Sequence, residues 1–190
     1  MSDLRDKVIE ERRLLENPSY DLVELTVQSP PRGDASPVSR SKGAVRHRGG
    51  VVILPLLEQP GRSPRVVMVE NERIVLGQRL VELPAGGLKP GEAPEAAAAR
   101  ELREETGYEA AVIEPLARFY TAPGFCDEAI HAFVATGLHE VGQDLEDDEA
   151  LVTKVLSITE IEAMLDGDSP LDAKTVTVLA LAQRKHWLSF

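Results

Sequence analysis

Between Gly86 and Tyr108 the chain sets glycines, two arginines and several glutamates at a spacing that few local structures accommodate. It reads Gly86, five residues, Glu92, seven residues, Arg100-Glu101-Leu102, one residue, Glu104-Glu105, one residue, Gly107. Ala93–Thr106 within it reads as a helix. Pro94 falls in the first turn, Ala96–Ala99 are all alanine, and Gly107 stands just past the last turn, the expected asymmetry of helix starts and stops. At helical spacing Ala97, Glu101 and Glu105 share one face, Glu104 lies beside them, and Arg100 is placed to pair with Glu104. Ala98 and Leu102 fall on another side and are expected to face the core.

Like charges four residues apart on a helix cost about 0.2–0.5 kcal/mol per pair, so these carboxylates are mildly self-destabilising without a counter-charge. A divalent cation removes that cost. Magnesium takes oxygen ligands, keeps several waters and bridges to substrate phosphates, and a small carboxylate group suits it. A charged run taken alone is most often a solvated helix face. The glycines shift the balance here: Gly86-Gly87 and Gly91 supply backbone next to the helix start that can approach a phosphate closely.

The surrounding sequence is rich in strands. Tyr20–Val27, Val51–Leu57, Arg65–Val69, Arg79–Leu83, Ala110–Tyr120, Ile130–Thr136 and Leu151–Leu156 read as strands from their β-branched content and the turn residues between them. Asp3–Leu15 is charged and reads as a short helix or a frayed arm. Ser29–Lys42, with Pro30, Pro31, Gly33 and Pro37, reads as a loop, as does the acidic Gly137–Glu149. Thr159 with Glu162 matches a capping box for a short helix, and Asp172 is a candidate cap for a last helix running to about Trp187. One helix embedded among strands, with others following, indicates an α+β class or an α/β/α sandwich rather than a regular βαβ series. Residues 1–43 are expected to form an N-terminal arm and strand, and 44–190 the main domain.

Acidic residues number 32 against 21 basic ones, a net charge of −11 that disfavours a nucleic-acid polymer as partner. The single Cys126 excludes an internal disulfide framework and suits a reducing compartment. Met1–Glu16 lacks the apolar core of a signal peptide, and no apolar run reaches the length of a membrane span, so the cytoplasm and no membrane partner are the expectation. The four histidines show no metal-ligand spacing.

The spacing from Gly86 to Gly107 resembles the Nudix box. Glu82-Leu83-Pro84-Ala85-Gly86, Thr121-Ala122-Pro123-Gly124-Phe125, and the position of Pro123 16 residues beyond Gly107 are similar to the ADP-ribose pyrophosphatase branch of the Nudix hydrolases. The likeness spans roughly Val45–Ala182. It departs at Tyr108, where the family usually has an aliphatic residue, and at Glu72, where it often has an aromatic one before the arginine that meets the diphosphate. The resemblance implies a Nudix fold, an α/β/α sandwich with a mixed sheet. It implies Mg2+, with Mn2+ as an alternative, held by the carbonyl of Ala85 and the carboxylates of Glu101 and Glu105, with Glu104 assisting and Arg100 orienting. Arg73 and Arg79 would meet the diphosphate, Gly86 and Gly87 would line the substrate, and Pro123 and Phe125 would shape its terminal-ribose side. The general base would come from the acidic loop, with Glu149 the first choice, Asp148 next and Glu146 third. The implied reaction is hydrolysis of ADP-ribose or a related nucleoside diphosphate sugar, by a homodimer to which the N-terminal strands contribute. Two other readings stay open: a Nudix hydrolase of a different diphosphate, such as a dinucleoside polyphosphate, a dinucleotide or an oxidised nucleotide, and a non-catalytic domain that senses a nucleotide sugar.

Overall fold

The computed structural model describes residues 6–31, 36–145 and 150–189. The chain divides into two compact units, one made of the residues through Arg48 with Tyr120–Ala129, the other of Gly49–Phe119 with the residues from Ile130 onward.

The first unit is an antiparallel sheet of β1 (Lys7–Glu16), β2 (Tyr20–Ser29) and β3 (Val38–His47), in that order. Val23, Leu25 and Val27 alternate along β2 and are buried with Ala44 of β3, as a strand with one covered face requires. Charged β1 is therefore a strand, not the helix or frayed arm its composition suggests. Its partners explain the difference: Arg12 pairs with Glu24 at 2.7 Å and Arg13 with Asp21 at 3.2 Å, both across to β2. Two register shifts, between Val8 and Glu10 and between Arg13 and Leu15, break the period of two that would have marked it. The loop expected over Ser29–Lys42 is also shorter, because β3 begins at Val38 and pairs with β2 from Ser29↔Val38 to Tyr20↔His47. Residues 38–43 are exposed, and 39–42 are polar, so pairing with β2 and not burial makes them a strand. Tyr120–Ala129 is laced to β3: Val45 N donates to Phe125 O (2.8 Å), His47 N donates to Asp127 Oδ1 (2.7 Å), and Arg46 pairs with Asp127 (3.0 Å).

The second unit holds a mixed sheet of β4 (Gly50–Gln59), β5 (Arg62–Arg73), β6 (Gln78–Glu82), β7 (Ala85–Gly87), β8 (Tyr108–Tyr120), β9 (Ala129–Glu140) and β10 (Val152–Leu156). The order is β10-β5-β4-β9-β8, with β6 paired to β5 and β7 to β4. β4 and β9 pair in parallel, from Gly50↔Ile130 to Pro55↔Ala135. Central β4 is covered on both faces, which is why Val51–Leu57 reads as one apolar run. Its alternate side chains serve two cores. Val52, Leu54 and Leu56, with Ile130, Ala132 and Val134 of β9, pack against Ile161 of α2 (Ile158–Asp166) and Val178, Leu179 and Ala182 of α3 (Ala173–Arg184). Val51 and Ile53, with Phe133 and Ala135 of β9, pack against Ala97, Ala98 and Leu102 at the box helix. Helices on both faces of a mixed sheet make this an α/β/α sandwich of the α+β class.

The box helix, α1, is α-helical from Pro94 to Glu101 and widens into a π turn over Leu102–Thr106. It stops at Gly107, whose φ of 77° lies in the left-handed region where a Cβ is penalised. Strand β9 continues through Glu140, beyond the expected start of the acidic loop, because Gly107 O accepts Val141 N (2.7 Å) and Gly142 N (3.1 Å). The capping box of α2 is Ser157 with Glu160, not Thr159 with Glu162. The run Ser157-Ile158-Thr159-Glu160-Ile161-Glu162 offers the motif in two registers, and the end of β10 at Leu156 selects the earlier one. Asp172 caps α3 as expected, but the helix ends at Arg184, and His186 turns into positive φ before Trp187.

Candidate active site

The centre of the site is one guanidinium. Arg100 donates through Nε and Nη2 to the two oxygens of Glu92 (2.9 Å each), through Nη1 to Glu101 Oε1 (2.6 Å) and Glu104 Oε2 (2.9 Å), and through Nη2 to Gly87 O (3.1 Å). Its planar fork suits such a cluster, since it presents five donors at fixed angles. The Arg100–Glu104 pairing read from helical spacing is present, and Arg100 also reaches back to Glu92, which precedes the helix. Two bonds from Arg100, with a third from Lys89 N (2.9 Å), hold the Glu92 carboxyl down at about 2. The same contacts, Glu92 first, raise the pKa of Arg100 and keep it charged.

Glu101 and Glu105 are 7% and 4% exposed, which is unusual for carboxylates and requires compensating partners. Glu105 Oε2 accepts the backbone N–H of Ala85 at 2.9 Å. Glu101 lies against Gly86 so closely that a Cβ there would be 2.0 Å from its carboxyl carbon. The carboxylate thus occupies the space a side chain at residue 86 would fill. The π turn is held from behind: Gln143 Nε2 donates to Glu105 O (2.6 Å), Asp144 N to Glu104 O (3.2 Å) and Thr153 Oγ1 to Thr106 O (3.3 Å). These bonds satisfy carbonyls that a helix end leaves without partners. No local pattern signals Gln143 or Thr153, because both meet the turn only through the fold.

The donor set fits a divalent cation of the magnesium type. Two buried carboxylates, a third beside them and the adjoining backbone at Ala85 are all hard oxygen donors, and the glycine at residue 86 gives Glu101 its place. Among the described residues no three His, Cys, Asp or Glu side chains form a ready-made metal cage. Magnesium does not need one, since it completes its shell with water and phosphate.

The structure therefore gathers Ala85, Gly86, Gly87, Arg100, Glu101, Glu104 and Glu105 around one helix end. Arg73 presents its fork to buried Glu82, with Nε 2.7 Å from Oε1 and Nη2 bonded to Oε2. Glu82 raises the arginine's pKa, with smaller contributions from Asp172 and Glu105. These two residues line a cavity of about 420 Å³ with Leu80, Leu171 and Asp172. Glu82 stands in the sequence only as the first residue of the Glu82–Gly86 motif, and its burial and its pairing with Arg73 arise in the folded sheet. Arg79 is exposed and stands 3.7 Å from Glu70 and 3.6 Å from Glu72. Pro123 and Phe125 belong to the other unit, and Phe125 is exposed there. Glu146, Asp148 and Glu149 lie outside the described residues.

A family model for the NUDIX domain matches residues 46–179. The chain belongs to the NUDIX domain family. Among relatives of this NUDIX chain, an ADP-ribose pyrophosphatase of Bacillus subtilis (strain 168) is 34% identical over 190 residues, covering 99% of the chain and 98% of the relative. A methanol dehydrogenase activator of Bacillus methanolicus is 39% identical over 146 residues, 76% of the chain and 77% of that protein. A crystal structure of an ADP compounds hydrolase superimposes with a TM-score of 0.78 at 18% identity, over 99% of this chain and 96% of the other. That likeness supports the Nudix fold.

Two outcomes follow for the NUDIX site. In Gly86→Ala the new methyl meets the far end of a flexible side chain, so the Glu101 carboxylate moves and the fold survives. Activity should fall by about 10–100-fold, the range for disturbed support of a metal ligand, with little change in melting temperature. An active variant at wild-type level would show that Glu101 need not sit against Gly86. The depressed Glu92 carboxyl favours folding at neutral pH, and its contribution is lost as pH falls from the ordinary carboxylate range, about 4.3, towards the folded value of about 2. Glu92→Gln should therefore melt lower than wild type at pH 7, with the gap closing towards pH 2, as thermal melts across that range would reveal.

Proposed function

We propose that the protein is a metal-dependent hydrolase that cleaves the diphosphate of ADP-ribose, or of a closely related nucleoside diphosphate sugar, to a nucleoside monophosphate and a sugar phosphate. The observation that carries the reading is the seating of the buried Glu101 and Glu105 carboxylates against Gly86 and Ala85, with Arg100 bonded to Glu101. The full-length similarity to an ADP-ribose pyrophosphatase supports this substrate class.

Glu101, Glu105 and the Ala85 carbonyl would hold Mg2+, for which Mn2+ could substitute, with Glu104 assisting. Such an ion would supply charge neutralisation on the phosphoryl oxygens and a lowered pKa for the attacking water. Arg100 keeps the carboxylates in place. Arg73 and Arg79 receive the diphosphate, and because Arg73 already engages Glu82, substrate must share or displace that pairing. The adjoining cavity is within the size range of small-molecule sites, about 300–1,000 Å³. Gly86 and Gly87 line the phosphates. Glu149, with Asp148 as the alternative, takes a proton from the attacking water as the P–O bond to the leaving phosphate breaks.

ADP-ribose incubated with Mg2+ should give the two monophosphates by mass, faster than ATP is hydrolysed, and Glu149→Gln should lower kcat by about 10²–10⁴ with small effect on KM. Faster turnover of ATP or an oxidised nucleotide would move the chain to another diphosphate, and no turnover of any diphosphate would leave a sensor domain. A large loss in Asp148→Asn with none in Glu149→Gln would move the base one residue earlier.

The working form is a cytoplasmic homodimer in which the N-terminal strands, within residues 1–43, meet a second copy. Val8, Ile9, Leu14 and Leu15 on edge strand β1 are about half exposed, which favours cover by a partner. Sedimentation of the intact chain should give a dimer. Deletion through Glu16 should give a monomer, and a dimer that persists would place the interface elsewhere.

A further inference from the structure

Leu83 and Pro84 link β6 to β7, and these two and Ala85, the first residue of β7, are each held by a different element. Leu83 N donates to Thr175 Oγ1 of α3 (2.9 Å), Pro84 O accepts Ile53 N of β4 (2.9 Å), and Ala85 N donates to Glu105 Oε2 (2.9 Å). Gly86 follows, against Glu101. The site is thus tied through this link to α3, which packs on the opposite face of the sheet from the box helix.

Thr175 is fully buried and its hydroxyl is doubly used. It accepts from Leu83 and donates to Asp172 Oδ2 (3.0 Å), and the same oxygen accepts Thr175 N (2.8 Å). Asp172 is fixed in turn by Lys174 Nζ (2.8 Å), which stands 3.9 Å from Glu82, the residue before Leu83. Asp172 needs no help from the Thr175 hydroxyl to cap α3, since the backbone N–H already does so. What the hydroxyl adds is a bond to the chain two residues before Ala85.

We propose that Thr175, oriented by Asp172, is a positioning residue for the metal site: it anchors Leu83 and so sets the backbone of Ala85 and Gly86 against Glu105 and Glu101. The inference rests on the metal-binding reading above. Groups that orient metal ligands from one shell out typically affect metal affinity by about 10–100-fold.

Mn2+ alone is the probe, titrated into the full chain while free Mn2+ is followed by electron paramagnetic resonance. Thr175→Val keeps shape and removes the hydroxyl, and its Mn2+ dissociation constant should rise by about 10–100-fold. Its Mg2+ activation constant should rise in parallel, with KM for the diphosphate substrate little changed. Thr175→Ser should restore affinity. Val178→Ala, also buried on α3, should lose stability but not Mn2+ affinity. Wild-type affinity in Thr175→Val, or an equal loss in Val178→Ala, would reduce Thr175 to a packing residue. Should Thr175→Val fail to fold, Thr175→Ser decides, because weakened Mn2+ binding with the hydroxyl retained overturns the proposal. A wild-type chain that binds no Mn2+ sinks the metal reading and this inference with it, a pattern distinct from failure of the variants alone.

Discussion

Arg100 is the group on which the geometry of the site depends. Without it, Glu92, Glu101 and Glu104 would repel one another, and the Gly87 carbonyl would lose a donor. Its own burial is compensated by the same four acceptors, so helix, preceding loop and β7 meet at one charge. The Coulomb gain of any single pair is offset in part by desolvation, and it is the shared fork that makes the arrangement specific. The carboxylates a cation would take are consequently oriented by the protein beforehand and are not assembled around the ion. Preorganisation of this kind supports catalysis because little rearrangement remains when substrate arrives.

Much of this was legible in the chain because it is local. Helical periodicity alone puts Glu101 and Glu105 on one face and Arg100 within reach of Glu104, and Pro94 and Gly107 mark the ends of that helical segment. The two-faced burial of β4 is equally plain in Val51–Leu57. What could not be read was set by distant partners. The strand character of β1 comes from its ladder with β2, and its charges argue the other way. Gln143 meets Glu105, and Thr175 meets Leu83, across separations that no pattern in either segment announces. Glu82 was visible only as part of a short motif, while its burial and its grip on Arg73 are products of the β5–β6 pairing.

The π turn at Leu102–Thr106 illustrates the limit of periodicity. A regular α-helix predicts the right residues on the right side, yet the last turn is wider, and its carbonyls are satisfied by Gln143, Asp144 and Thr153. Wider turns cost hydrogen-bond geometry and recur at functional sites. Here Glu104 and Glu105 stand on a turn braced by the start of the acidic loop and by β10.

The parallel pairing of β4 with β9 has a consequence for how the chain acquires its form. Gly50 is matched to Ile130, and Pro55 to Ala135, so the central ladder joins segments made far apart in time during synthesis. Hairpins such as β5–β6 close over a few residues, whereas this pair must enclose the whole box helix and β8 first. Closing so large a loop costs entropy before any contact repays it, and topologies dominated by such contacts fold slowly. The backbone of Gly50, Val51 and Val52 that receives β7 is the same stretch that awaits β9. A nascent chain that has emerged only through the box helix therefore carries the Glu101 and Glu105 carboxylates without the β9 ladder that completes the sheet beside them.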